Sequence, residues 1–134
     1  MCLRPSAQVF EVLDRLGSLL LQREMYPEAA ECLRDACEVC RSCFGNLSKD
    51  LAQALNSVAF VYYTWNVVEY GDMCEELMQE SVAITEKVSG TYSMDHLCAI
   101  NNLGNLLLAR KRWAPASKLF AVTLAAPEVM AIRQ

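Results

Sequence analysis

Gly45-Asn46-Leu47-Ser48-Lys49-Asp50, followed by Leu55-Asn56-Ser57-Val58-Ala59, is the stretch that decides how this chain folds. It returns as Gly90-Thr91-Tyr92-Ser93-Met94-Asp95, followed by Ile100-Asn101-Asn102-Leu103-Gly104. Seven like pairs keep one register, so the second segment is a copy of the first. A third copy lies upstream, where Leu13, Leu16 and Gly17 answer to Leu55, Val58 and Ala59. A second set recurs as well: Ala29, Leu33 and Ala36, then Cys74, Met78 and Ser81, then Ala116, Phe120 and Thr123. Self-similarity at a spacing of roughly 40 residues marks a stacked repeat, in which each unit is one supersecondary element.

Each half-unit has the period of a helix. Val9, Leu13, Leu16 and Leu20 step by three and four, as do Leu103, Leu106 and Leu107. Ser6, Ser48 and Ser93 stand where N-caps belong, and Asp50 and Asp95 place a negative charge in the first turn, where the helix dipole favours it. Gly45 and Gly90 stop the second helices of their units. Arg110, Lys111 and Arg112 crowd the end of another helix. The pattern predicts six helices, at about 6–24, 27–44, 49–66, 70–89, 94–111 and 113–126, in repeats of about 6–45, 48–90 and 93–126. The second unit carries three extra residues between Tyr62 and Cys74, expected as a loop around Trp65 to Asp72. Gly17, Ala59 and Gly104 are expected to face Ala29, Cys74 and Ala116, because helices approach closely only where a side chain is small. A bulky residue at Gly104 should then overpack the contact.

The spacing resembles the tetratricopeptide repeat, whose signature is W-x2-L-G-x2-Y, then A-x3-F and a proline. Copy one has Leu13-x2-Leu16-Gly17-x2-Leu20 and Tyr26-x2-Ala29-x3-Leu33. Copy three has Ile100-x2-Leu103-Gly104-x2-Leu107 and Trp113-x2-Ala116-x3-Phe120, while copy two is looser, with Leu55, Val58, Ala59, Tyr62, Cys74 and Met78. The long period, the closing Phe44-Gly45 and Ser89-Gly90, and the Asn after Leu55 and Ile100 are similar to the kinesin-light-chain type of the repeat. That type's common His-Pro is replaced by Ser48-Lys49 and Ser93-Met94. The resemblance implies an all-α fold: residues 1–134 as a single domain, a right-handed α-solenoid of three helix-turn-helix units.

It also implies a site. In peptide-binding members the first helices line a concave face. The residues so placed include Glu11 and Asp14 in unit one, Asn56, Phe60 and Tyr63 in unit two, and Asn101, Asn102 and Asn105 in unit three. Carboxamides can donate to and accept from an extended peptide backbone at once. Phe60 and Tyr63 would add apolar anchor area. Chaperone-docking members grip a terminal carboxylate with Lys, Arg and Asn. Here Asp14, Ser18, Ser57, Cys98 and Asn102 stand at those positions, so a basic or neutral ligand fits better. The function implied is protein–protein interaction, adaptor- or scaffold-like, with a protein or peptide partner. An assembly factor of a larger complex is the alternative within binding.

Composition narrows the rest. The 134 residues are 54% apolar and 21% charged, with five Gly and four Pro, a packing sequence poor in tight turns. A net charge of −4 lacks the basic footprint of a nucleic-acid binder. No nucleophile–base pair or phosphate loop is present, and no enzyme activity or cofactor is expected. Seven cysteines at irregular spacing do not make a disulfide framework, and free thiols suit a reducing compartment. Residues 1–22 are broken by Glu11, Asp14 and Arg15, unlike a signal peptide. No run is long enough to span a membrane. A cytoplasmic protein is expected, a mitochondrial one being the alternative. Cys37-x2-Cys40-x2-Cys43 raises a thiol-based metal or redox alternative, but helical packing is the simpler role. His96 is expected as a satisfied surface residue, and Glu75, Glu76 and the Arg110–Arg112 run as solvated charge. Leu119, Phe120, Val122 and Leu124 would leave the last helix partly wet, which suggests self-association or a longer array there.

Overall fold

The computed structural model describes residues 7–124. It is all-helical among those residues, with α1 (Ala7–Gln22), α2 (Tyr26–Phe44), α3 (Lys49–Ser89), α4 (Met94–Ala109) and α5 (Trp113–Leu124). Contacts run between α1 and α2, α2 and α3, α3 and α4, and α4 and α5. Sequence neighbours are thus spatial neighbours, the mark of a quasi-one-dimensional solenoid. Among the described residues no helix is long and apolar enough to cross a membrane.

The starts and stops are those the repeat dictates. Ser48 Oγ accepts from Leu51 N at 3.1 Å and Ser93 Oγ from His96 N at 3.2 Å, each capping its helix. Ser6 lies outside the described residues. Gly45 and Gly90 close α2 and α3 at φ +81° and +96°, a region where a side chain would be strained. Units one and three turn alike. Glu24 N and Met25 N donate to Leu21 O and Leu20 O, and Lys111 N and Arg112 N to Leu108 O and Leu107 O. That is the Schellman arrangement, with Glu24 and Lys111 left-handed at φ 59° and 62°.

Unit two departs from the expectation of a loop. Helical structure occupies Trp65 to Asp72 except at Asn66 (φ −165°, ψ 92°), where the chain kinks sharply from one limb into the next. Asn66 occupies the repeat position of Glu24 and Lys111, but in extended backbone it opens the next limb instead of closing the last. Its Oδ1 accepts from Glu69 N at 3.1 Å, an N-cap for the next limb, and its Nδ2 reaches Glu69 Oε2 at 3.5 Å. The three extra residues are therefore taken up as helix. The two limbs still pack against each other, since Cys74 Sγ donates to Ala59 O at 3.4 Å. Five helical segments thus carry the six helical limbs that the repeat calls for.

The core runs the length of the stack, from Ala29 and Leu33 through Leu55, Val58 and Val61 to Leu103, Leu107 and Ala116. The small residues do set the close approaches: Ala59 meets Cys74 as expected, while Gly17 and Gly104 lie nearest to larger neighbours. A Cβ built on Gly17 would lie 2.5 Å from Leu33 Cγ, and one on Gly104 would lie 2.7 Å from Phe120 Cζ. The glycines make room for the bulky residue one turn beyond Ala29 and Ala116.

Candidate functional site

The first helical limbs of the three units line one concave strip. Two hollows adjoin there. One of about 510 Å³ is bounded by Ser18, Asn56, Ser57, Phe60, Tyr63, Asn102 and Asn105, with Leu33, Met78 and Leu106 among its apolar residues. The other, of about 460 Å³, includes Phe10, Asp14, Lys49, Asn56, Asp95 and Asn102. Asn56, Ser57 and Asn102 belong to both, so the hollows form a continuous groove.

Of the residues named from the sequence, Asn56, Phe60, Tyr63, Asn102 and Asn105 come together in the first hollow, and Asp14 joins Asn56 and Asn102 in the second. Glu11 and Asn101 are exposed and line neither. Asn101 sits one residue, about 100° of helix turn, off the strip that carries Asn102 and Asn105.

The chemistry of the strip is set by which polar groups are already engaged. Ser18 Oγ donates to Asp14 O and Ser57 Oγ to Gln53 O, so these hydroxyl hydrogens are spent on their own helices. Asn56 differs: its Oδ1 is buried and has no hydrogen-bond partner among the described residues. A buried acceptor left unpaired costs about 1–3 kcal/mol, a cost removed when a donor enters. Phe60 and Tyr63 stand exposed beside it. Charge is confined to the second hollow, where Lys49 Nζ pairs with Asp95 Oδ2 at 3.3 Å and Asp14 adds a carboxylate.

Several sequence expectations change. His96 is buried, not on the surface, and its Nδ1 lies 3.0 Å from Thr85 Oγ1, tying α4 to α3. Glu75 is buried at 7% exposure, not solvated. It holds Arg110 Nη1 at 2.6 Å and also Arg112 Nη1, while Arg110 Nη2 reaches Asp72 Oδ1 at 2.7 Å. Gly71 makes space for this guanidinium, for a Cβ there would lie 2.5 Å from Arg110 Nε. The sequence reading also missed an aromatic cluster: Trp65 stacks on Tyr26 at 6.3 Å and on Tyr62 at 6.2 Å, and meets Tyr70 at 4.8 Å. Arg34 lies over the Tyr62 ring at 5.8 Å. These are the joints between units, and the signal for them was the register that places Tyr26 with Trp65 and Gly71 with Arg110.

The Cys37, Cys40, Cys43 run lies along α2. Cys37 and Cys40 are buried and Cys43 is half-buried. Burial pushes the Cys37 thiol up to about 12 and raises Cys40 as well. The thiolate is the form that binds metal and attacks. Among the described residues no three His, Cys, Asp or Glu side chains gather as a metal site. The run packs α2.

No protein-family model and no curated protein matches this sequence. Among solved structures, the crystal structure of BtubC (BKLC) from P. vanneervenii is similar, with a TM-score of 0.78 at 18% sequence identity over 89% of this chain. The match covers 46% of that chain, so this one spans under half the length of its structural neighbour. At that identity the likeness concerns the fold, a tetratricopeptide-like helical-repeat solenoid.

Proposed function

We propose that the protein is a non-catalytic interaction module whose concave groove takes an extended segment of a partner protein. The observation that carries this reading is the unpaired, buried Asn56 Oδ1 in the groove beside exposed Phe60 and Tyr63. As the segment docks, the Asn56 side chain turns to bring its Oδ1, closed off in the free protein, to a backbone N–H of the segment, and an apolar side chain rests against the two rings. Asn102 and Asn105 offer further carboxamides along the same strip. Asp14 favours a segment that is neutral or basic at that end. Solenoids present such extended concave surfaces, and a preformed helical wall holds the anchoring groups in place. Adaptor or scaffold work is the role this reading suits, and the cytoplasm is the compartment proposed for it.

The test is selection of unstructured peptides from a displayed library on the wild-type protein. Selected peptides are then measured against Asn56→Ala and Phe60→Ala/Tyr63→Ala, with Asn101→Ala as the off-strip control. The expected result is at least about tenfold weaker binding to the first two, or roughly 1.4 kcal/mol, and unchanged binding to the control. Asn56→Ala should melt at or slightly above the wild-type temperature, because it removes an unpaired acceptor. Peptides indifferent to both groove variants would sink the proposal.

A further inference from the structure

Both outer flanks of the described solenoid expose residues whose repeat equivalents lie in joints between units. On α1, Val12, Leu16 and Leu19 are 63%, 43% and 56% exposed. Their repeat equivalents in unit two, Ala54, Val58 and Val61, are 1%, 1% and 0% exposed, and those in unit three, Ala99, Leu103 and Leu106, are 1%, 5% and 1%. Each first limb packs on its own second limb in all three units. What units two and three have, and unit one lacks among the described residues, is a unit stacked in front. The α1 stripe is thus a stacking flank without its neighbour.

The opposite flank is open at α5. Trp113 is 59% exposed and Leu124 is 53% exposed. Leu124 occupies the position of Cys37, which is 7% exposed, and of Val82, which is half-buried. Trp113 occupies the position of Tyr26 and Gly71, the residues that meet Trp65 and Arg110 of the following unit. The position of Trp65 and Arg110 in unit one is Arg23, just after α1. One joint is ring on ring, the next is glycine beneath guanidinium, and Trp113 against Arg23 would be ring on guanidinium, a favourable cation–π pair.

We infer that the occupant of the α1 flank is a second copy of this chain, docked head to tail through its α5. Trp113 of one copy covers Arg23 of the next, and Leu124 lies against the Val12, Leu16 and Leu19 stripe end. The contact is heterologous, so each copy keeps one open end and association proceeds by addition. The inference is independent of what the groove binds.

Sedimentation equilibrium from micromolar to millimolar concentration tests it. The mass of the wild type should rise with concentration above the 15.0 kDa of one chain. Leu16→Glu/Leu19→Glu blocks the α1 flank, and Trp113→Glu/Leu124→Glu blocks the α5 flank. Each variant alone should remain monomeric, and an equimolar mixture should stop at twice the single-chain mass. Circular dichroism must match the wild type, and Arg23→Glu, a change at an exposed residue, provides a milder block should a double variant unfold. A wild type monomeric at every concentration overturns the inference and leaves the flank to a preceding repeat or another protein. Self-association of the α5-blocked variant alone also overturns it, because like flanks would then be pairing.

Discussion

A hydrogen in place of a methyl decides how closely the limbs of this solenoid pack. Gly104 leaves room for the Phe120 ring, and Gly17 does the same for Leu33. Gly104→Leu should therefore cost about 1–3 kcal/mol in urea unfolding, and Phe120→Ala in the same chain should return part of that loss. If the double variant were as weak as the sum of two independent defects, the ring would not be the clashing group. The glycines were legible in the sequence because spacing alone exposes a small residue at a fixed register. Their partners were not, because register gives the level along the helix but not which side chain leans across. Glu75 was illegible for a related reason. Beside Glu76 it looks like a wet pair, and only folding brings Arg110 and Arg112 onto its carboxylate.

At the scale of elements, the second unit has an extra turn and no loop. A Schellman turn spends two or three residues outside the helix, whereas Asn66 ends one limb and caps the next by itself. Asn66→Ala should lose about 1 kcal/mol of stability, and Asn66→Asp should retain most of it, since a carboxylate accepts the same bond from Glu69 N. Thermal melting of the two variants side by side checks this. The three extra residues of unit two suggested an ordinary loop there, and no glycine or proline marks the break at Asn66 itself. The clue that was present is Asn followed three residues later by Glu, a helix-start pattern hidden inside a run that is helical on both sides. The N-caps Ser48 and Ser93 were readable because each follows a stop glycine by three residues.

For the whole molecule, buried thiols set an alkaline limit. Burial holds Cys37 up to about 12 and Cys74 up to about 11, against an ordinary 9.0. Well below pH 9 both are protonated in the folded and the unfolded chain alike. Above it the unfolded chain loses those protons first, so stability falls as pH climbs from about 9 towards 12. The urea midpoint should hold steady from pH 7 to 8.5 and then decline, with a shallower decline in Cys37→Ala. The groove was legible as a strip, because the first helices repeat, but its acceptor was not. Which carboxamide is buried depends on how the units lean together. The Trp65 cluster has one more consequence, and it is optical. Three tyrosine rings lie close enough to pass their excitation to Trp65, which sits at the seam of units one and two, while Trp113 stands in water at the far end. With Trp113 replaced by phenylalanine, the emission of a single indole becomes a lamp fixed at one seam, and its reddening would time the moment when the first two units part.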